Sequence, residues 1–334
     1  MLSIRDVAEG AVALTGDPAQ SPLAIVDLDA PASAADAARA ITELSGRTVV
    51  TVGYAERPVS TAAAPVMEAL TCTVAPAGPG RAWAAVDDGL QRLTRAIMAA
   101  PQAALSLANL LPATARADVF DGLQGESLAY STLLAGPEFA AWRAATPRRE
   151  PGAATEPVTV DRDGSRLEVT LNRPERHNAF GHAVRDGLIE ALTMAVLDDS
   201  IEHVRLRGAG KSFCSGGDLD EFGTAADPVA AHVTRLGRSA GWMVHRLRER
   251  IVAELHGACI GAGIEVPAFA ARIEARDNTF FQLPELSMGL IPGAGGTVSL
   301  THRIGRHRTA YLALSGDRID VATALAWGLV DGRV

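Results

Sequence analysis

The stretch from Leu255 to Thr297 constrains this chain most, because it sets two glutamates beside two glycine-rich turns. It reads L-H-G-A-C-I-G-A-G-I-E up to Glu265, then runs through P-E-L-S-M-G-L-I-P-G-A-G-G-T, with Glu285 near the start of that second part. A turn of Gly and Ala alone, such as Gly261-Ala262-Gly263, lets a ligand approach the backbone. The helix expected after it aims its first free N–H groups at the same place, which favours negative charge there. Glu265 falls in the first turn of that helix, while Glu285 and Gly293-Ala294-Gly295-Gly296 belong to the next strand–loop–helix unit. Two carboxylates and a set of backbone donors can therefore converge. The Ile291–Thr297 loop taken alone would also suit a phosphate, but no Lys-Ser/Thr comes after it, so the P-loop reading fails.

Composition narrows the function classes. A chain of 334 residues holds one large domain or two ordinary ones, and 48% apolar content suffices for a buried core. The net charge of -8 argues against a general nucleic-acid binder, while leaving room for a local basic pocket. Cys72, Cys214 and Cys259 show no paired spacing and no Cys/His cluster, so no metal is expected and a reducing compartment is. The N-terminus lacks the charged and apolar regions of a signal peptide, and no apolar run is long enough to span a bilayer. The most apolar stretch, Ala96 to Leu111, is interrupted by Pro101, Gln102, Ser106 and Asn109, and reads as a buried helix. The expected location is cytoplasmic.

Along the chain, Leu23–Leu28 and Thr48–Val52 read as strands, with helices over Ala34–Leu44 and Ala82–Ala100, an α/β beginning. Leu167–Leu171, Gly181–Leu197 and His203–Leu206 repeat the strand–helix–strand order later. This is either a degenerate internal repeat or the likeness of any two β-α-β units. Ala103–Leu111, Ala117–Leu134 and Pro137–Ala145 read as successive helices. Residues 148–157, rich in Pro, charged and small residues, read as a linker between an N-terminal part (1–147) and a second domain (158–334). A hairpin around Asp163-Gly164 is expected to open that second domain.

Two more loops carry candidate chemistry. Asn172–Phe180 lies between a strand and a helix, where α/β folds bind ligands, although Asn178 can equally serve as a helix cap. Lys211–Leu219 supplies another Gly-rich turn, Ser215-Gly216-Gly217, with Asp218 able to cap the next element. Cys214 has no histidine placed for it by sequence and reads as a small buried residue. His256 reads as a structural histidine, and Arg303, Arg306, His307 and Arg308 as a solvated or subunit-facing patch.

Taken together, Asn172–Phe180, Lys211–Leu219, Gly261–Glu265 and Glu285–Thr297 resemble the crotonase superfamily of enoyl-CoA hydratases and isomerases, over about residues 158–334. The resemblance implies an α/β fold with a ββα spiral core, preceded by an α/β plus helical domain that is open to reading as a degenerate crotonase-like repeat. It implies an acyl-CoA substrate, no cofactor beyond the coenzyme A moiety, no metal, and a homo-oligomer such as a trimer or hexamer. It also implies that the N–H groups of Gly217 and Ala262 hold the thioester oxygen, with Gly293 close to the reacting group. Glu285 would handle the proton at the α-carbon and Glu265 the water. Arg176, Ala179, Lys211, Ser215, Gly217, Asp218 and Leu219 would contact coenzyme A. The family usually carries its positive charge at the position of Glu175; here it sits next door, on Arg176.

The activity so implied is reversible hydration of a 2-enoyl-CoA by a lyase. The alternatives are double-bond isomerisation or another enolate-stabilising reaction, and a non-catalytic CoA-binding or scaffolding subunit. Family members usually continue into a helical tail where this sequence stops, at Gly328–Val334. The helices of residues 101–147 are expected to take its place over the core.

Overall fold

A computed structural model describes residues 1–12, 21–149 and 156–334. Most of the expected 148–157 linker therefore lies outside the described residues. Early in the chain, strands and helices alternate to give a four-stranded parallel sheet in the order Leu2–Ser3, Leu23–Asp27, Val50–Tyr54, Cys72–Val74. Local signals set the boundaries. Ser33 and Asp36 form a reciprocal capping box, each side chain taking the other's backbone N–H at 3.1 Å, and the Ala34–Leu44 helix starts where the sequence placed it. The helix expected from Ala82 begins only at Gly89. Ala84 instead joins the sheet edge, donating to the Thr73 carbonyl and accepting from Ala75, and backbone pairing overrides helix propensity there.

Pro101 splits the Ala96–Leu111 stretch, expected as one helix, in two: the Gly89–Ala99 helix ends before it and the Pro101–Thr114 helix leaves at 111° to the first. No single helix is long and apolar enough to cross a membrane, among the described residues. Helices Val119–Leu134 and Pro137–Ala145 come next. Glu138, in the first turn of the last of these, caps the Pro101–Thr114 helix, accepting from the N–H groups of Gln102 (2.7 Å) and Ala103 (3.1 Å).

The second half opens with the expected hairpin, Val158–Asp163 against Arg166–Leu171, at the edge of a six-stranded sheet. The sheet continues in parallel through His203–Gly208, Ile251–Leu255, Arg272–Ala275 and Gly332–Arg333. A three-stranded sheet, Ala258–Ile260, Phe280–Gln282 and Ile319–Asp320, lies beyond it and carries the two glycine-rich turns.

The two halves share a core. Leu93, Leu107, Leu111 and Leu123 belong to the same buried cluster as Leu167, Leu206, Val298 and Tyr311, while Ile4, Val26, Leu44 and Met67 form a smaller one. The basic run after the last glycine-rich turn helps stitch the halves together, where the sequence reading expects a solvated or subunit-facing patch. His307 and Arg308 are buried, Arg306 donates to the Leu70 carbonyl at 2.9 Å, and Arg303 pairs with Asp331 at 3.1 Å. Arg92 pairs with Asp317 at 2.8 Å across the same boundary. These side chains spend their donors inside the molecule because the Arg306–Ser315 helix packs on the first sheet and on the helices after it.

Truncating Leu107, fully buried in the shared cluster, to alanine is expected to cost ~2–5 kcal/mol. Urea unfolding followed by fluorescence and by circular dichroism should show one shifted transition. Two transitions, only one of them displaced, would contradict a common core.

Candidate active site

The Ala258–Ile260 strand runs into Gly261, whose φ of 50° is open to glycine at little cost. A Cβ there would also lie 2.5 Å from Glu285 Oε1, so the position is closed to any side chain. One helical turn follows, Ala262–Glu265, and then a separate 3-10 turn over Pro267–Phe269. Pro267 is tolerated because it starts that second turn, where its missing N–H leaves no bond unmade.

Glu265 is buried, and its Oε2 accepts from the N–H groups of Ala294 (2.8 Å) and Gly296 (2.9 Å) in the second glycine-rich turn. Glu285 opens the Glu285–Met288 3-10 turn, also buried, and its Oε2 has no protein partner among the described residues. The turn that binds Glu265 leads into the Gly296–Ile304 helix, whose first N–H groups would otherwise be orphaned.

A third carboxyl meets the same turn. Glu126, in the Val119–Leu134 helix, accepts from Gly295 N–H (2.7 Å), Thr297 N–H (2.8 Å) and Thr297 Oγ1 (2.7 Å). The four consecutive N–H groups from Ala294 to Thr297 are thus shared alternately between Glu265 and Glu126. One helical turn later, the Tyr130 ring closes on Gly293, where a Cβ would lie 2.4 Å from the ring.

These groups line a cavity of about 760 Å³. Gly217, Ala262, Glu265, Glu285 and Gly293 reach it from the second half of the chain, and Leu123, Glu126, Tyr130 and Phe139 from the 101–147 helices. The N–H groups of Gly217 and Ala262 carry no hydrogen bond to the protein among the described residues. Backbone donors left free beside two buried carboxyls can receive an oxygen that gains negative charge while a proton moves nearby.

A family profile described as Enoyl-CoA hydratase/isomerase matches residues 161–334. The chain belongs to the enoyl-CoA hydratase/isomerase family. It is 32% identical over 173 residues to the 2,3-dehydroadipyl-CoA hydratase of Escherichia coli strain K12, a match covering 52% of this chain and 67% of the relative. It is 33% identical over 172 residues to the trans-2-decenoyl-[acyl-carrier-protein] isomerase of Streptococcus mutans, covering 50% and 65%. The crystal structure of an enoyl-CoA hydratase from Thermoplasma volcanium GSS1 superposes with a TM-score of 0.50 at 31% identity, over 54% of this chain and 72% of that one. Crotonase fold and family are therefore shared with hydratases and isomerases alike.

The residues that family resemblance assigns to coenzyme A are placed less uniformly. Gly217 and Asp218 line the cavity, whereas Arg176, Ala179, Lys211, Ser215 and Leu219 do not. Arg176 is held at 2.6 Å by Asp220, and Asp218 is buried between Arg173 and Arg176. Lys211 is exposed. Asn178 does not line the cavity and is not the helix cap, which is Gly181. Its buried amide ties the Arg173 N–H to the carbonyls of Ala209, Ser212 and Phe213, fixing both loops together. His256 hydrogen-bonds the Gly210 carbonyl, a structural role, and burial pushes the Cys214 thiol up to about 12, which leaves it inert at neutral pH. Among the described residues no group of three or more His, Cys, Asp or Glu is arranged to hold a metal ion.

Sequence reasoning missed Glu126 and Tyr130. The available signal was a glutamate set on an apolar stripe at helical spacing, with Gly122, Leu123, Glu126, Ser127 and Tyr130 all buried on one face.

Burial raises all three carboxyls. Glu265 is pushed up to about 7 against the pull of its two N–H donors, Glu126 to about 8 by burial and then repulsion from Glu265, and Glu285 well above the usual range by burial and then Glu265. The folded protein therefore retains protons that an unfolded chain, with glutamates near 4.5, has already released. That stability is fully present below the unfolded value and is lost as pH rises through the folded ones. Melting temperature is expected to fall between about pH 5 and 8, and Glu285→Gln to flatten the fall. Melts that rise steadily across that window would contradict it.

Glu126→Ala leaves the Gly295 and Thr297 N–H groups without acceptors, at ~1–3 kcal/mol for each donor that stays dry. Chemical denaturation should show that loss. Unchanged stability would mean that the turn does not depend on Glu126.

Proposed function

We propose that the protein is an enoyl-CoA hydratase, adding water reversibly to a 2-enoyl-CoA thioester. The observation that carries this reading is the pairing of Glu265 and Glu285 across one cavity with the free N–H groups of Gly217 and Ala262. Glu265, near 7, is the readier of the two to act as base, and Glu285, held protonated, the readier to act as acid.

In this reading Glu265 orients a water and takes one of its protons as the oxygen bonds to the β-carbon. The electrons of the double bond move into the thioester, whose oxygen becomes an enolate held by the two N–H groups. Glu285 then delivers its proton to the α-carbon, and the carbonyl re-forms. The net change is one water added, with the proton gained by Glu265 and lost by Glu285 restored from solvent. Backbone donors aimed at the developing charge favour the transition state over the ground state, and one such donor is worth roughly 3–4 kcal/mol.

Isomerisation uses the same enolate with the proton returned to a different carbon, and relatives of both kinds are among those matched. The second acid favours hydration, since Glu265 can serve a water while Glu285 serves carbon. A non-catalytic scaffold is disfavoured by the cost of keeping three carboxyls buried together. The helices of residues 101–147, which wall one side of the cavity, stand in this proposal for the tail of other family members. A homo-oligomer, a cytoplasmic location suggested by three buried free thiols, and no cofactor beyond the coenzyme A of the substrate belong to the same reading.

The test is loss of conjugated-thioester absorbance with crotonyl-CoA and longer enoyl-CoAs. Glu265→Gln and Glu285→Gln are each expected to cut kcat by ~10²–10⁴, with far smaller changes in KM. Wild-type kcat should rise through about pH 7 as Glu265 ionises. Turnover that survives either substitution would overturn the assignment.

A further inference from the structure

One wall of the cavity carries arginines. Arg235, in the Pro228–Gly237 helix, lines it with its guanidinium 4.7 Å above the Tyr130 ring. Its Nη1 donates to Ser127 Oγ (2.8 Å), Ser131 Oγ (3.0 Å) and the Ser127 carbonyl (3.2 Å). No carboxylate lies within ion-pair distance of it among the described residues, and these three bonds are its only hydrogen bonds there. Its Nε and Nη2 are thus left without a protein acceptor among the described residues. Two further arginines of the same wall, Arg185 and Arg238, share the single carboxylate of Asp186, each at 2.8 Å.

A half-buried cation is ordinarily matched by an acid, because its desolvation is repaid only by a partner. Here the nearest acid of the site, Glu126, has its oxygens committed to the Gly295–Thr297 turn. The other carboxylates of the lining, Asp218 and Glu221, are held by Arg173 and Arg176 and by His182, so Arg235 faces the cavity unmatched. Its position relative to the chemistry is fixed by Tyr130, whose ring abuts Gly293 and carries the guanidinium on its face. Gly217, Ala262, Tyr130 and Arg235 all line this one cavity, so a thioester held at the first two shares it with the arginine.

We propose that the acyl pocket selects chains ending in an anion, with Arg235 binding a distal carboxylate of the acyl group. The proposal rests on the acyl-CoA reading of the cavity. A planar guanidinium with free N–H groups matches a carboxylate in geometry, and stacking on the tyrosine holds it in orientation. A methyl-ended chain of the same length would leave the cation unpaired and displace its water.

The test uses saturated thioesters, which bind without reacting: succinyl-, glutaryl- and adipyl-CoA against butyryl-, valeryl- and hexanoyl-CoA, with free CoA as reference, by calorimetric titration of the whole protein. The expected result is a preference of tenfold or more for an acid-ended chain at the length that fits. Arg235→Gln should erase that preference while leaving free CoA and the methyl-ended thioesters within about threefold, and Arg235→Lys should keep part of it. A wild type with no preference at any length overturns the proposal without needing a variant. Equal weakening of every thioester and of free CoA by Arg235→Gln also overturns it, placing the arginine at the nucleotide end or in the frame. A protein that binds no thioester at all sinks the acyl-CoA reading and this inference together. Binding without preference sinks the inference alone.

Discussion

Four backbone N–H groups at the start of the Gly296–Ile304 helix set the geometry of the site. Ala294 and Gly296 donate to Glu265, and Gly295 and Thr297 to Glu126. A helix start with no side-chain cap must find acceptors or lose them to water, and here two buried carboxyls from distant parts of the chain supply them. The same bonds pin Glu265 facing the cavity and dock the Val119–Leu134 helix against the family core. Holding the acid and closing the pocket are therefore one interaction. Gly122 shows how close the contact is, since a Cβ there would come within 2.9 Å of Val298.

Range decides how much of the site can be read from the sequence. Glu265 and Glu285 sit beside glycines whose roles are local, so their chemistry is legible in the Leu255–Thr297 stretch. Gly261 needs its positive φ, and Glu285 stands against it. The short helix before Pro267 can likewise be anticipated from proline alone. Glu126 cannot be, because its partners lie at Gly295 and Thr297, and nothing in V-F-D-G-L-Q-G-E-S-L names them. A helical glutamate is ordinarily solvated, and only the helix's docking, set by apolar packing across the shared core, turns it inward.

The misplaced expectations have the same cause. Arg303, Arg306 and His307 read as surface charge because arginine is usually outside, yet their heads find carbonyls and an aspartate contributed by remote segments. Asn178 resembles a cap because it precedes a helix, but its φ is left-handed at 54° and its amide is turned inward, toward the Ala209–Phe213 loop. In each case the residue type is informative and the partner is not, since hydrogen-bond partners across such separations are decided by topology.

The cavity keeps a feature that stability alone would remove. Glu285 Oε2 is buried with no partner among the described residues, and burial drives its carboxyl toward the neutral form. Such a group costs free energy that a better-packed apolar residue would not, and the cost is reduced only when a ligand or water reaches the oxygen. A protonated acid beside free backbone donors suits a thioester on which negative charge develops, because both the donors and the proton are in place before the reaction begins. Close contacts around that acid hold it in place. Gly261 is closed to side chains, Gly293 is pressed against Tyr130, and the Gly295–Thr297 turn is bound on both sides, so the carboxyl cannot relax into a partner of its own. The fold thus stabilises a site that is incomplete without its substrate.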